Sequence, residues 1–427
     1  MPSPGDTPPR IADIPGVDTG WRRESSRMSV RDTVASPPAR YGLLASLYTA
    51  QFLGTAFFAT ALTSILRERG VPLAELGLLQ VALMVSALRV LWAPVIDRFG
   101  SRRRGRYRSW LLVLQPAMVV ALLCLTVLDP VADLDLLLVA GLVTAALSAS
   151  QDVAVDAIAV RLLRPHQQGV ANGIQVAGGY VGSIAGGGVS LLLYDSVGWA
   201  PTILVLAALT AVPWWQTLRF TEPAGQRADS TLATRYGALL GLFRQRRLLP
   251  WLLVVQPCCW AGIFAAYALV GPMLVDAGWS LSSVGWVTSI AGDGVAVAGA
   301  VVAGALVARH GTRTCLVVFG LCQVAAVLAL LPLAFGTAPT VPTGAAILLF
   351  KLAYAASATV IGTVSMRLSR PALAGTDYSA MATVGSVVAF GAGAVALALA
   401  DSAGYPATLT AAAVLAFTGV LAVRWVP

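Results

Sequence analysis

"APVIDRFGSRR" at residues 93–103 and "GALVARHGTRT" at residues 304–314 are two renderings of one short turn, and their separation organises the chain. Arg98 and Gly100 in the first correspond to Arg309 and Gly311 in the second, each 211 positions on. Both copies lie between two apolar runs. A tight turn there needs glycine for its backbone and arginine for the polar boundary. One copy alone is a weak signal, because basic loops beside apolar runs are common. Two copies at equivalent places indicate an internal repeat. They differ at one informative position: Asp97 stands in the first where Ala308 stands in the second.

The runs flanking these turns are long. The chain is 57% hydrophobic and 11% charged, with mean hydropathy +0.77. A soluble chain carries about 25% charged residues to face water, so there is too little charge here to cover a globule. Stretches of about 20 apolar residues cross a hydrocarbon core of roughly 30 Å, and twelve recur. They lie near 41–65 (span 1), 76–96 (span 2), 109–128 (span 3), 134–162 (span 4), 169–194 (span 5) and 198–217 (span 6). The rest lie near 249–274 (span 7), 282–308 (span 8), 314–335 (span 9), 341–366 (span 10), 377–400 (span 11) and 404–425 (span 12). The expected fold is an all-α membrane protein of twelve transmembrane helices in two six-helix pseudo-repeats. Its expected parts are a disordered cytoplasmic tail 1–40, a first bundle 41–217, a central cytoplasmic loop 218–248 and a second bundle 249–427.

The tail is rich in Pro, Arg and Ser and has no apolar core, so it does not read as a secretory signal. Of the 29 Lys and Arg residues, 25 fall in the tail, the loops on one side and Arg424, against Arg67 and Arg69 on the other side. By the positive-inside rule both termini are cytoplasmic, in a cell or inner membrane. The net charge of +9 is then a matter of topology, with no nucleic acid implied. Cys124, Cys258, Cys259, Cys315 and Cys322 lie in or beside apolar runs without metal-ligand spacing, so neither a disulfide framework, a metal site nor a cofactor is expected.

Ionisable residues inside a bilayer are costly and usually face a bundle interior, paired with one another. Five are expected inside spans: Arg89, Asp152, Asp156, Asp293 and Lys351. In "SASQDVAVDAIAVRLL" (148–163) the two aspartates sit four apart, on one helix face. At 1.5 Å per residue, Asp156 lies about 7–8 Å from Arg161, near the end of span 4, and Asp152 about 13 Å in. Asp156 therefore reads as an interfacial carboxylate near Arg161, Arg164 or the 97–108 loop. Asp152 reads as a coupling or solute-facing group, or as half of a static buried pair. Burial favours a neutral carboxyl and a nearby cation favours the ionised one, and a proton carrier uses that switch. Lys351, the only lysine in the chain, shares a face of span 10 with Tyr354. It reads either as a cavity cation or as a static partner of Asp293. Arg89, about 12 Å before Asp97, could snorkel towards that loop. Gly178, Gly182 and Gly186 at four-residue spacing mark a close helix–helix contact of span 5.

Two six-span halves with an R-x-G turn after spans 2 and 8 resemble the major facilitator superfamily over roughly residues 41–425. The first turn departs from that family's G-x-x-x-D-R-x-G-R-R pattern at Ala93 and Ser101. "LWAPVIDR" and "SASQDVAVDA" are similar to its anhydromuropeptide-permease-like and acetyl-CoA-transporter-like branch. "DAIAVRLL", "NGIQVAGGYVGSIAGGG" and "AGTDY" (374–378) resemble siderophore permeases of that branch. The resemblance implies a secondary active transporter, working by alternating access on a polar metabolite such as a siderophore or muropeptide, with uptake driven by protons. It implies a monomer in a lipid bilayer. It also implies a central cavity lined by spans 1, 4, 7 and 10, bringing Tyr48, Gln51, Asp152, Gln256, Lys351 and Tyr354 around one space. Asp152 and Lys351 would then face each other as coupling carboxylate and counter-cation. The family sets the acid of the first turn, here Asp97, against the start of span 11, with Thr376 or Asp377 able to cap it; Arg98, Arg309, Arg89 and Asp156 belong to this charge relay.

Two other classes remain. An exporter of drugs or secondary metabolites is disfavoured because span 5 lacks the Gly-Pro pair of the drug-antiporter branch. An intramembrane enzyme holding metal on Asp152 and Asp156 would resemble prenyltransferases, but the spacing is D-x₃-D instead of D-x₂-D, with no second acidic cluster.

Overall fold

The computed structural model describes residues 37–71, 83–101, 103–222, 231–245 and 248–425. Residues 1–36 of the expected tail, the first part of span 2 and residues 223–230 lie outside the described residues, while 37–40, expected in the tail, are the start of the first helix. The fold is all-helical, as the bilayer demands, because a helix satisfies its own backbone N–H and C=O groups. Eleven described helices are long and apolar enough to cross a membrane, from Ala39–Leu66 to Tyr405–Trp425. Span 2 is described from residue 83, and it is not one smooth helix. A 3₁₀ stretch, Met84–Leu91, is followed after Trp92 by a short α-helix, Ala93–Arg98, with Pro94 in its first turn. Pro94 lacks an N–H and so fits the start of a helix but not the middle of one.

The sides of the bundle are apolar and exposed, with Val113, Val301, Val341 and Val395 all more than half accessible. An apolar surface of that extent is abnormal for a protein in water and normal for one in lipid. π-helical turns interrupt spans 1 (Phe57–Leu62), 5 (Ile184–Val189), 7 (Trp251–Val255) and 8 (Trp286–Ala291). The central segment is not all loop: Leu232–Leu242 is helical, capped by the Thr231 side chain accepting from Thr234 N–H. This segment is tied to the first half through Glu222, which pairs with Arg161 at 3.1 Å and accepts from Arg108 N–H at 2.8 Å. Gly105, at φ +91°, makes room for it, since a Cβ there would lie 2.6 Å from Glu222.

A second internal repeat becomes visible at the opposite end. Asp195, Ser196, Gly198, Trp199 and Thr202 recur 206 positions on as Asp401, Ser402, Gly404, Tyr405 and Thr408. Gly198 and Gly404 reverse the chain between spans 5 and 6 and between spans 11 and 12, at φ +82° and +84°. Only glycine adopts that backbone cheaply. The threonine hydroxyls bond back to the same glycine carbonyls, Thr202 at 2.8 Å and Thr408 at 3.0 Å.

The three glycines of span 5 do mark a close contact, and its partner is span 1. A Cβ on Gly182 would lie 2.6 Å from the Thr49 carbonyl and one on Gly186 2.1 Å from that of Leu53.

Candidate functional site

Between the halves lies a cavity of about 520 Å³ whose lining comes from spans 1, 2, 5, 7, 8, 10 and 11. Its first-half wall sets Arg89, Asn172 and Gln175 among Phe52, Val176 and Tyr180. Its second-half wall is aromatic, built on Trp260, Phe264, Tyr354 and Phe390. These rings form a continuous surface: Phe264 lies 5.6 Å from both Trp260 and Tyr354 and 6.4 Å from Phe390, centroid to centroid. Rings at such separations pack edge to face or tilted, as their quadrupoles favour. Gln256 and Tyr354 are in the lining, as expected. Gln51 and Asp152 are not, and span 4 contributes no lining residue.

The reason is Arg89. It does not snorkel towards Asp97 but turns to span 4 and forms an ion pair with Asp152. Gln51 Nε2 donates to the other carboxylate oxygen at 2.8 Å. Asp152 is thus held from behind by span 1 and screened from the cavity by a cation on span 2. Lys351 does not face Asp152 either. Its Nζ donates to Asp293 Oδ1 at 2.8 Å, with the Tyr267 ring 5.0 Å away. Asp293 and Tyr267 reach the main cavity; Lys351, again with Tyr267, lines a second one of about 290 Å³ between spans 7, 8 and 10. The expected pairing of Asp152 with Lys351 is replaced by two separate pairs, one in each half.

Asp156 does not pair with Arg161, Arg164 or the 97–108 loop. It is fully buried, and Tyr48 OH and Gln175 Nε2 both donate to its Oδ1, at 2.9 Å and 3.0 Å. Arg161, its expected neighbour, is occupied by Glu222. Gln175 also accepts at 3.0 Å from the hydroxyl of Tyr378 on span 11. Tyr48, Gln175 and Tyr378 are the members of this network that sequence reasoning did not connect to Asp156.

At the end carrying the basic loops the halves are latched. Asp97 is wholly buried and accepts four hydrogen bonds. Two reach Oδ1, from Tyr107 OH at 2.7 Å and Gly375 N–H at 3.2 Å. Two reach Oδ2, from the Thr376 N–H at 2.8 Å and its hydroxyl at 2.6 Å. The carboxylate therefore caps span 11 from outside its own half, where the helix dipole favours negative charge. Asp377 does not take that place. It binds Arg370 through both carboxylate oxygens at 2.7 Å and accepts the Arg370 N–H at 3.0 Å. Arg98 lies exposed beside Phe99, and Arg309 is exposed at the other turn.

A broken helix with a cation at its centre and a buried acid at its end thus lies beside an open cavity between two pseudo-symmetric halves. The chain belongs to the Major Facilitator Superfamily, which it matches over residues 44–393. It is similar to the anhydromuropeptide permease of Escherichia coli K12, 28% identical over 288 residues, 66% of this chain and 58% of that one. The chain thus spans under two thirds of that relative's length. Among solved structures, FucP in the outward conformation shares 13% identity at TM-score 0.72, covering 91% of this chain and 98% of its own. The human organic anion transporter MFSD10 shares 16% at TM-score 0.68, covering 91% and 100%. Both likenesses are of fold. The protein is a multi-pass membrane protein of that superfamily.

Proposed function

We propose that this transporter takes up a polar metabolite by proton-coupled alternating access, and that anhydromuropeptides are the first class to test. The observation that carries this reading is the two-faced cavity. A guanidinium on one wall suits a solute carboxylate, and a continuous aromatic wall opposite suits the C–H faces of sugar rings. The relative in Escherichia coli is named for such a solute. Siderophores, which are also polar and often anionic, are the second class. Export of a drug or secondary metabolite would use the same cavity in the reverse direction.

The distribution of Lys and Arg supports cytoplasmic termini in the cell membrane; a monomer without a catalytic role is part of the same proposal. In that orientation the latched end is cytoplasmic. Asp152 remains the candidate coupling carboxylate. Its protonation would release Arg89 to a solute anion, and a proton or solute moves the equilibrium between access states only through such differential affinity. Lys351 then has a separate role, holding Asp293 between the two cavities.

The test is uptake of radiolabelled anhydromuropeptide and of a ferric siderophore by proteoliposomes under an imposed proton gradient. Asp152→Asn should abolish gradient-driven accumulation of the transported solute while sparing counterflow exchange. Lys351→Ala should weaken binding and leave coupling intact. Full accumulation by Asp152→Asn would remove that residue from the coupling step.

A further inference from the structure

The aromatic wall of the main cavity also carries hydrogen-bonding atoms that no other residue engages. Gln256 of span 7 belongs to the lining although it is almost wholly buried. Its Nε2 donates to the Met381 carbonyl of span 11 at 2.7 Å, which fixes the amide. Oε1 is left as a buried acceptor with no partner among the described residues. Four residues on, and so on the same helix face, stands Trp260. Its ring packs on Phe264 and Tyr354, while its indole N–H has no acceptor among the described residues. The π-helical turn Trp251–Val255 ends immediately before Gln256. Such turns alter the facing of the helix that follows them and recur at functional sites.

Span 11 meets this pair at Gly385. A Cβ there would lie 2.7 Å from Trp260 Nε1 and 2.8 Å from Gln256 Nε2. Glycine is therefore what lets both side chains lie against span 11, with the indole and the amide side by side. Ala382 and Ala389, about one turn to either side of Gly385, also line the cavity and present small apolar surface. The charged lining residues, Arg89 and Asp293, belong to spans 2 and 8, so the stretch between spans 7 and 11 is polar without charge.

Buried polar atoms in folded proteins are nearly all hydrogen-bonded, so an orphan acceptor in a cavity wall is a place for a donor from outside the chain. The solute groups that fit can be sorted by their atoms. A carboxylate has only acceptors and an ammonium only donors, so each leaves one of the two protein atoms unmet. A secondary amide carries one N–H and one C=O on a rigid plane, the complement of one acceptor and one donor.

We propose that Gln256, Trp260 and Gly385 form a subsite for a neutral acylamino group of the solute. Trp260 Nε1 donates to the acyl oxygen, Gln256 Oε1 accepts the amide N–H, and the acyl chain lies against Ala382 and Ala389. The inference rests on the uptake reading above only in taking this cavity as the solute site. It adds that the solute carries an acylated amine, for which neither a hydroxyl nor a free amine substitutes.

Saturation-transfer difference NMR on the full-length protein in lipid nanodiscs tests this with N-acetylglucosamine, glucosamine and glucose as probes. N-acetylglucosamine should bind more tightly than the other two, with the strongest saturation at its acetyl methyl. Trp260→Phe keeps a ring and removes the N–H, so it should cut that preference by about fivefold, the worth of one neutral hydrogen bond. Gly385→Ala should displace both side chains and abolish the preference; Trp260→Phe decides the matter if that variant does not fold. Absent binding of N-acetylglucosamine, equal binding of the three sugars, or an undiminished preference in Trp260→Phe would each overturn the proposal. The readout needs neither gradient nor transport. Failed uptake of anhydromuropeptide with an intact acylamino preference would count against the solute assignment above, and uptake without that preference against the subsite alone.

Discussion

Spans 2 and 11 meet at the basic end through a carboxylate; spans 8 and 5, which the internal repeat makes their counterparts, meet through bare backbone. At the first junction Asp97 receives Tyr107, Gly375 and Thr376. At the second, Gly169 and Gly173 of span 5 lie against Val307, Gly304 and Ala300 of span 8. A Cβ on Gly173 would fall 2.5 Å from the Ala300 carbonyl, and one on Gly304 2.7 Å from that of Gly169. The same pseudo-symmetric place is therefore filled by two kinds of force. Four directional bonds on one buried acid are made or lost together, since distance and angle both count. Close-packed glycine backbones hold by dispersion and tolerate sliding, though not added volume. A chain with one junction of each kind has a latch and a sliding contact at the same end.

Adding volume to the sliding contact should do the most damage. Gly173→Leu places a side chain where a methyl group already collides, and overpacking of this sort costs about 1–3 kcal/mol even where neighbours can shift. Here the neighbours are backbone. The expected outcome is a lowered melting temperature and loss of nearly all transport. Wild-type uptake by this variant would show that spans 5 and 8 do not need to close. Breaking the latch should do less. Asp97→Asn keeps one acceptor oxygen and turns an NH₂ group towards donors it cannot accept from. A buried donor left without an acceptor costs about 1–3 kcal/mol. Solute binding should survive and transport should slow severalfold. An unchanged rate would remove Asp97 from the gating step.

The difference between the junctions was half legible in the sequence. The turn repeat and the substitution of Ala308 for Asp97 can be read directly, and so can the apolar runs, eleven of which have described helices that begin and end within about six residues of expectation. The role of Asp97 against span 11 came from family resemblance, and its donors Tyr107 and Gly375 did not. The partners of the membrane acids were harder. Arg89 lies on the same span as Asp97 and pairs with Asp152; Lys351 takes Asp293, the static alternative; Asp156 bonds Tyr48 and Gln175 instead of a cation. A helix packed among others in a bilayer is apolar on all its faces, so sequence gives its depth and not its rotation. Depth alone placed Asp156 near Arg161, whereas rotation turns it to Tyr48 and Gln175. The glycine contact of span 5 with span 1 was readable because small residues at four-residue spacing fix a face. The contact of Gly169 and Gly173 with span 8 uses the same spacing and went unread, because its partner surface is a single glycine and two aliphatic residues.

The subtlest test of the comparison is to make the two junctions alike. Ala308 corresponds to Asp97, and it is half-buried in span 8, one residue after Val307, which touches Gly169. Gly169 in turn stands at the start of span 5 as Gly375 stands at the start of span 11, 206 positions on. The first turn of any helix leaves N–H groups without intrahelical acceptors, and the residue preceding span 5, Gln167, offers no side-chain cap. Ala308→Asp would bring a carboxylate towards those groups, where a negative charge contributes about 0.3–1 kcal/mol. If the pseudo-symmetry extends to the approach of the two helices, the substitution should raise the melting temperature slightly. It should also slow transport less than twofold, because the closed state gains a second latch. A lowered melting temperature would mean that the glycine contact brings the backbones too close to admit an acid. The two junctions would then differ in helix separation as well as in the residue at one position.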